Sequence, residues 1–346
     1  MKTAIIAVTA NGALLAEKLA LNLPTSVDVF VKTGRNPHNV GTEYDSLSEL
    51  VDRLFTQYTG LIFIMATGIV VRVIAPHVRD KRFDPAVVVM DEAGQYAISL
   101  LSGHIGGANE LTQVVAEAIN AAPVITTATD VNHKPAADIL AVKLDLAIEP
   151  FNQLKTINAA IVNGDRVAFF IDRSLTNHAH YIQRATEMGI PLIDMTELSQ
   201  TDKYDAAIII SDKDIYMVKP HLYLRPATLA IGIGCRQGTT SAEIFTAIDD
   251  ACKKIGRSDK SIAVIGSTVA KQDEIGLLAA VQQLVVPVEF FSNEQLQQVI
   301  NQFGLSISEF VQKQIGVGNV CEAAALMGGQ AETLILPKTT YRSYML

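Results

Sequence analysis

The segment SLLSGHIGGANEL, residues 99–111, sets a single imidazole, His104, among three glycines, Gly103, Gly106 and Gly107. An apolar run over 96–101 stops at Ser102, and a helical pattern begins near Asn109. Glycine reaches φ > 0 and lets backbone approach another group closely. A strand that ends in such a turn before a helix also aims N–H groups, with a helix dipole behind them, at one point. That point suits a carboxylate or a developing oxyanion, and a histidine beside it is a proton carrier near neutral pH. The competing reading is that the glycines only permit a tight turn that His104 caps or fills.

Three further loops carry anion-binding residue types, and each is expected to follow a buried strand, where open α/β sheets hold ligands. They are Ala66-Thr67-Gly68 with Arg72 one turn on, Lys81-Arg82-Phe83-Asp84-Pro85, and GIGCRQGTT at 232–240. The last has glycines at 232, 234 and 238, so its third glycine falls one residue late for a dinucleotide fingerprint. A loop that offers N–H groups and Arg236 to an anion fits it better. Thr240-Ser241-Ala242-Glu243 has capping-box form, which makes Glu243 a helix cap. Glu322, near the start of a helix of small residues, reads equally as a dipole-favoured cap and as a catalyst. Cys235 and Cys321 read as small core residues; the remaining histidines, among them His133, show no metal-ligand spacing, and the pair His178 and His180 reads as part of a polar loop.

Positioning these loops falls to alternating strands and helices. Strands are expected at 3–8, 27–31, 61–66, 86–90, 96–101 and 123–127, with helices over 13–21 and from a capping box at 46–49. The continuous apolar run at 61–66 reads as a strand buried on both faces of a parallel sheet. A less regular stretch follows, with a helix at 152–162 and strands at 167–171 and 206–211. From 228 a third α/β pattern runs to an expected last strand at 333–336. The fold class is α/β and multi-domain: N-terminal and C-terminal three-layer α/β units with a small middle α/β segment. The expected boundaries are 1–133, 134–226 and 227–346.

A chain of 346 residues with 49% hydrophobic and 18% charged residues is globular. The net charge of −8 argues against nucleic-acid binding, so an anionic substrate must be met by local cations. No apolar stretch is long enough to span a bilayer, and three scattered cysteines make neither a disulfide framework nor a zinc site. A cytoplasmic protein is expected.

In their order and spacing, IFIMATGIVVRVIAP, DKRFDPAVVVMDE, ISLLSGHIGGANEL and PVITTATD resemble the cobalt-precorrin-5A hydrolase family of anaerobic cobalamin biosynthesis. GIGCRQGTT and GVGNVCEAAAL with LPK resemble its C-terminal part. The resemblance implies a cobalt-containing, polycarboxylated tetrapyrrole substrate. The implied reaction opens a δ-lactone and releases acetaldehyde to give cobalt-precorrin-5B. Cobalt then belongs to the substrate, and no protein cofactor is expected. A homo-oligomer and contacts with neighbouring pathway enzymes are the protein partners considered. On this reading His104, as a neutral imidazole, and Glu322 are the catalytic candidates, with the Gly106 and Gly107 N–H groups facing the oxyanion. The substrate-binding candidates are Thr67, Gly68, Arg72, Arg82, Asp84, Ser102, Gly103, Gly106, Gly107, Asn109, Arg236, Gly238 and Thr239. The alternative is a carrier that holds a tetrapyrrole intermediate without turning it over.

Overall fold

The runs TAIIA, GLIFI and AVVVM form β1 (Thr3–Ala7), β4 (Gly60–Ile64) and β5 (Ala86–Met90), each buried at every position. Side chains alternate across a strand, so a strand without polar residues must be covered on both faces. The computed structural model, which describes residues 1–132 and 134–341, shows that cover. Ala4, Ile6, Leu61, Phe63, Val87 and Val89 meet α2 (Leu47–Gln57) and α3 (Thr67–Ile74) through Leu50, Leu54, Val70 and Ile74. Ile5, Ala7, Ile62, Ile64, Val88 and Met90 meet α1 (Ala10–Asn22) and α4 (Ala108–Ile119) through Ala16, Leu19, Leu111 and Val115. Three layers result.

The sheet is completed by β2 (Asp28–Lys32), β3 (Thr42–Tyr44), β6 (Tyr96–Leu101) and β7 (Ala122–Val124), in the order β3-β2-β1-β4-β5-β6-β7. All neighbours are parallel except β5 and β6, which are antiparallel with Val87 opposite Leu101. The short helices α5 (Ala128–Val131) and α6 (Ala137–Leu144) follow. Residues 1–143 with 161–164 form one compact unit, and residues 144–160 with 165–346 form a second.

The second unit holds two sheets. In one, β10 (Leu192–Asp194), β9 (Val167–Ile171), β11 (Ala206–Ile210) and β12 (His221–Arg225) are parallel, and β8 (Ala147–Glu149) pairs antiparallel with β12. The helices of this part are α7 (Leu154–Asn163), of which residues 154–160 belong to this unit, and α8 (His178–Glu187). His178 and His180 therefore lie on a helix, where the sequence reading placed them in a loop. The other sheet, β13 (Leu229–Gly232), β14 (Ile262–Thr268) and β15 (Val288–Phe291), is parallel. The helices α9 (Ser241–Ile255) and α10 (Ile275–Leu284) cover one face through Ile244, Ile248 and Leu277. The other face carries α11 (Asn293–Phe303) and α13 (Cys321–Gly329), with α12 (Glu309–Ile315) between them in sequence. No strand forms at 333–336, where the chain runs as bends before Pro337. His133 and residues 342–346, which include the end of the tail TTYRSYML, lie outside the described residues.

Close packing of α13 on β13 and β14 explains two glycines. A Cβ on Gly232 would stand 1.7 Å from the Cys321 carbonyl oxygen, and one on Gly266 would stand 2.5 Å from that of Ala324. Neither backbone oxygen can swing aside. Overpacking of this kind costs about 1–3 kcal/mol or more. Gly232→Ala should therefore lower Tm by at least about 3 °C in a thermal melt. Gly68→Ala, whose Cβ would meet only the flexible end of Arg72 at 3.2 Å, should stay within about 2 °C of wild type.

Candidate functional site

Because β6 runs against its neighbour, its last residue lies beside the first residues of β5. The loop 102–107 therefore sits at the amino edge of β1, β4 and β5. A Cβ on Gly107 would lie 3.2 Å from Met1, and one on Gly106 would lie 3.3 Å from the Asp84 carbonyl. The loop 80–85 precedes β5 and shares this edge. Thr67 and Gly68 follow β4 at the opposite, carboxyl edge, a five-residue strand away, or about 16 Å. The expectation that every site loop follows a buried strand is corrected here: the loop 80–85 follows α3 and precedes β5, and the amino-terminal candidates divide between two edges.

His104 is the centre of the amino-edge cluster. Its Nδ1 is 3.1 Å from Asp138 Oδ1, its Nε2 is 2.5 Å from Asp130 Oδ2, and its side chain is 8% exposed. The Thr129 hydroxyl lies 3.3 Å from Nε2. Asp138 is in the first turn of α6 and is buried, whereas the Asp130 side chain, on α5, is 29% exposed. Asn109 braces Asp130. Its Nδ2 donates to Asp130 Oδ2 at 3.2 Å and to Thr127 Oγ1 at 3.0 Å, and its Oδ1 accepts from Ser99 at 2.7 Å. An ionised carboxylate only accepts, so a carboxylate on each ring nitrogen calls for a proton on each. Burial pushes the His104 pKa down, but the hydrogen bonds and charges of Asp138 and Asp130 outweigh it and hold it above the ordinary histidine value. The expected neutral imidazole is thus replaced by an imidazolium clasped between two carboxylates.

The glycines of the loop have steric reasons. A Cβ on Gly106 would be 2.3 Å from Ser102 Cβ, and one on Gly103 would be 2.8 Å from Asn109 Oδ1. Ser102 itself takes φ 59°, and its buried Oγ has no hydrogen-bond partner among the described residues. Gly107, at φ 85°, caps α4. Its N–H donates to the His104 carbonyl at 3.0 Å, so it does not face an oxyanion as the sequence suggested.

Several other candidates are engaged within the chain. Asp84 is buried and accepts the Arg79 N–H with both oxygens, at 3.1 and 3.0 Å. Arg82 pairs with Asp80 through Nε at 2.9 Å and Nη2 at 2.7 Å, and Arg72 donates to the Gly68 carbonyl within α3. In the second unit, the Gly238 N–H donates to Glu274 at 2.7 Å, and the Thr239 hydroxyl donates to the Arg236 carbonyl. Arg236 is exposed, and its guanidinium makes no ion pair among the described residues. Glu243 completes the capping box with Thr240. Glu322 is buried, with Oε2 taking the Asn319 amide and Oε1 taking the Lys338 N–H at 2.9 Å. That is a carboxylate tying a helix start to the following chain, with each oxygen already accepting one hydrogen bond. Burial raises the Cys235 and Cys321 thiols above their ordinary value, so neither is an activated thiolate.

Asp130, Asp138, Thr127 and Thr129 were not singled out from sequence. The signal for three of them was present in PVITTATD, which ends on Asp130. Among the described residues no group of three His, Cys, Asp or Glu side chains is placed to hold a metal ion. Among them, too, no helix is long and apolar enough to cross a membrane.

Comparison with known proteins covers nearly the whole chain. Residues 49–130 match the family described as cobalamin synthesis G N-terminal, 135–226 the cobalamin biosynthesis central region, and 229–345 the cobalamin synthesis G C-terminus. The cobalt-precorrin-5A hydrolase of Salmonella typhimurium is 38% identical over 96% of this chain and 93% of its own. That of Priestia megaterium is 33% identical over 97% and 91%. A solved structure titled as a putative cobalamin biosynthesis protein G homolog from Sulfolobus solfataricus covers 94% of this chain and 89% of its own, at 20% identity and a TM-score of 0.38.

The clasp makes stability depend on pH. A histidine whose pKa is raised on folding stabilises fully below its unfolded value of about 6.5, and loses that contribution as pH climbs through the folded value. The Tm gap between wild type and His104→Gln should therefore be widest near pH 6 and should shrink toward pH 9. A gap that stays constant across melts in that range would contradict the clasp.

Proposed function

The chain belongs to the family of cobalt-precorrin-5A hydrolases of cobalamin biosynthesis, and from that premise we propose that it adds water to the δ-lactone of cobalt-precorrin-5A. Acetaldehyde leaves, and cobalt-precorrin-5B is the product. The observation that carries the assignment of a site is the His104 clasp. It sets a cation and two carboxylates at one sheet edge, two of the three groups nearly closed to water and Asp130 partly open to it, where proton transfer is effective. The metal belongs to the substrate, and the protein's part is to hold the macrocycle, position water and move protons. Ester opening needs an acceptor for the water proton and stabilisation of the new oxyanion. The cluster supplies the acceptor, and the His104 imidazolium adds a positive field. Catalysis takes place in the cytoplasm on a soluble polyanion.

Substrate carboxylates call for cations that are not already paired. Arg236 meets that condition, whereas the Arg82 guanidinium is held by Asp80. Under anaerobic conditions His104→Ala should release acetaldehyde roughly 10²–10⁴-fold more slowly than wild type while remaining folded. A wild-type protein that binds the substrate but releases no acetaldehyde would be a carrier, and the proposal would fall. Arg236→Ala should raise KM severalfold with kcat nearly unchanged, and Arg82→Ala should raise it less. Equal, wild-type KM values for both would remove the carboxylate role of Arg236.

A further inference from the structure

We propose that Asp130 is the general base of the lactone-opening step, with His104 as the cation that positions it and Asp138 as the group that holds His104. This rests on the hydrolase reading above and divides the labour within that site.

The clasp leaves the imidazole no lone pair. Nε2 faces Asp130 Oδ2 at 2.5 Å and Nδ1 faces Asp138 Oδ1 at 3.1 Å. With an N–H directed at each carboxylate, His104 has no atom left to accept the proton of an attacking water. It is also nearly closed off, with 8% of its side chain exposed. Asp138 is more enclosed still, at 4%. Asp130 is the member that faces outward. Oδ2 is saturated by His104 Nε2 and Asn109 Nδ2. Its Oδ1 has no hydrogen-bond partner among the described residues, and 29% of the side chain is open to solvent. A carboxylate pinned through one oxygen and free at the other meets the geometric demand on a base.

The order of burial gives each group its role. The buried Asp138 charge is matched by His104, so the imidazolium stays protonated and in register. His104 and Asn109 then fix the Asp130 carboxylate plane. In the step itself, the water oxygen bonds to the lactone carbonyl carbon as one water proton passes to Asp130 Oδ1. The tetrahedral intermediate collapses, the ring C–O bond breaks, and the leaving oxygen takes that proton back from Asp130. One water is added and Asp130 is regenerated. Among the described residues, the charged groups at the His104 ring are Asp130 from α5 and Asp138 from α6, and the Thr129 hydroxyl meets it as a neutral group.

The test compares purified full-length variants by acetaldehyde release from cobalt-precorrin-5A. Asp130→Asn should lower kcat roughly 10²–10⁴-fold with KM little changed. In Asp130→Ala, added formate should restore activity saturably, because a small carboxylate can occupy the vacated position. A structural role would give no rescue. Asp138→Asn should lose less activity and move the alkaline limb of the kcat profile to lower pH, since His104 then gives up its proton more readily. Should Asp130→Ala fail to fold, the near-isosteric Asp130→Asn still decides the matter. Asp130→Asn with kcat within tenfold of wild type, beside a His104→Gln that loses more than that, would overturn the proposal and return the base to His104. An inactive wild type would count against the hydrolase reading instead, so the two failures are distinguishable.

Discussion

The amino edge of the seven-stranded sheet depends on one electrostatic constraint, the His104 imidazolium held between Asp138 and Asp130. A buried carboxylate without a partner is costly, and breaking a buried pair costs about 3–5 kcal/mol because the survivor stays uncompensated. Asp138 and His104 are both nearly closed to water. The loop after β6, the short helix α5 and the start of α6 are consequently stable only together. Asn109 extends the constraint into α4 through Asp130 and Thr127, and into β6 through Ser99. What looks like a loop site is a junction of four elements.

The same constraint explains the strained backbone around it. For Asn109 to reach both β6 and α5, the loop must fold back on itself within a few residues. Ser102 adopts φ 59°, Gly106 lies against Ser102 where no Cβ fits, and Gly107 turns at φ 85° into α4. Strain at these positions is held by the junction and not by the loop's own propensity. The glycines are thus structural in origin and functional in consequence: they let the imidazole be gripped from two sides.

Much of the first sheet was legible because TAIIA, GLIFI and AVVVM have no polar side to show water, which leaves a doubly covered parallel strand as the natural outcome. The reversal of β6 was not legible. A six-residue strand such as YAISLL reads the same in either direction, and only its pairing with β5 sets its sense. That one reversal moved the His104 loop to the edge opposite Thr67. His104 stood out through its glycines, but its partners lie 26 and 34 residues further on, and no periodicity links them. The helix at His178 was missed because its polar first turn resembles a loop. The strand sought at 333–336 rested on the apolar letters of LIL, yet no neighbouring strand pairs with that stretch.

The anion preference read into the glycine-rich loops is chemically sound, and the chain itself satisfies much of it. Glu274 takes the Gly238 N–H, Asp84 takes the Arg79 N–H, and Glu322 takes the Lys338 N–H. Backbone N–H groups draw carboxylates whatever molecule carries them. An internal carboxylate has the advantage, because it gives up no translational freedom on binding. These loops are therefore closed to an external anion at those N–H groups. The Arg236 side chain, by contrast, is exposed and makes no ion pair among the described residues. The glycines at 232 and 238 have internal uses that differ from a dinucleotide fingerprint: Gly232 admits the Cys321 carbonyl, and Gly238 presents its N–H to Glu274.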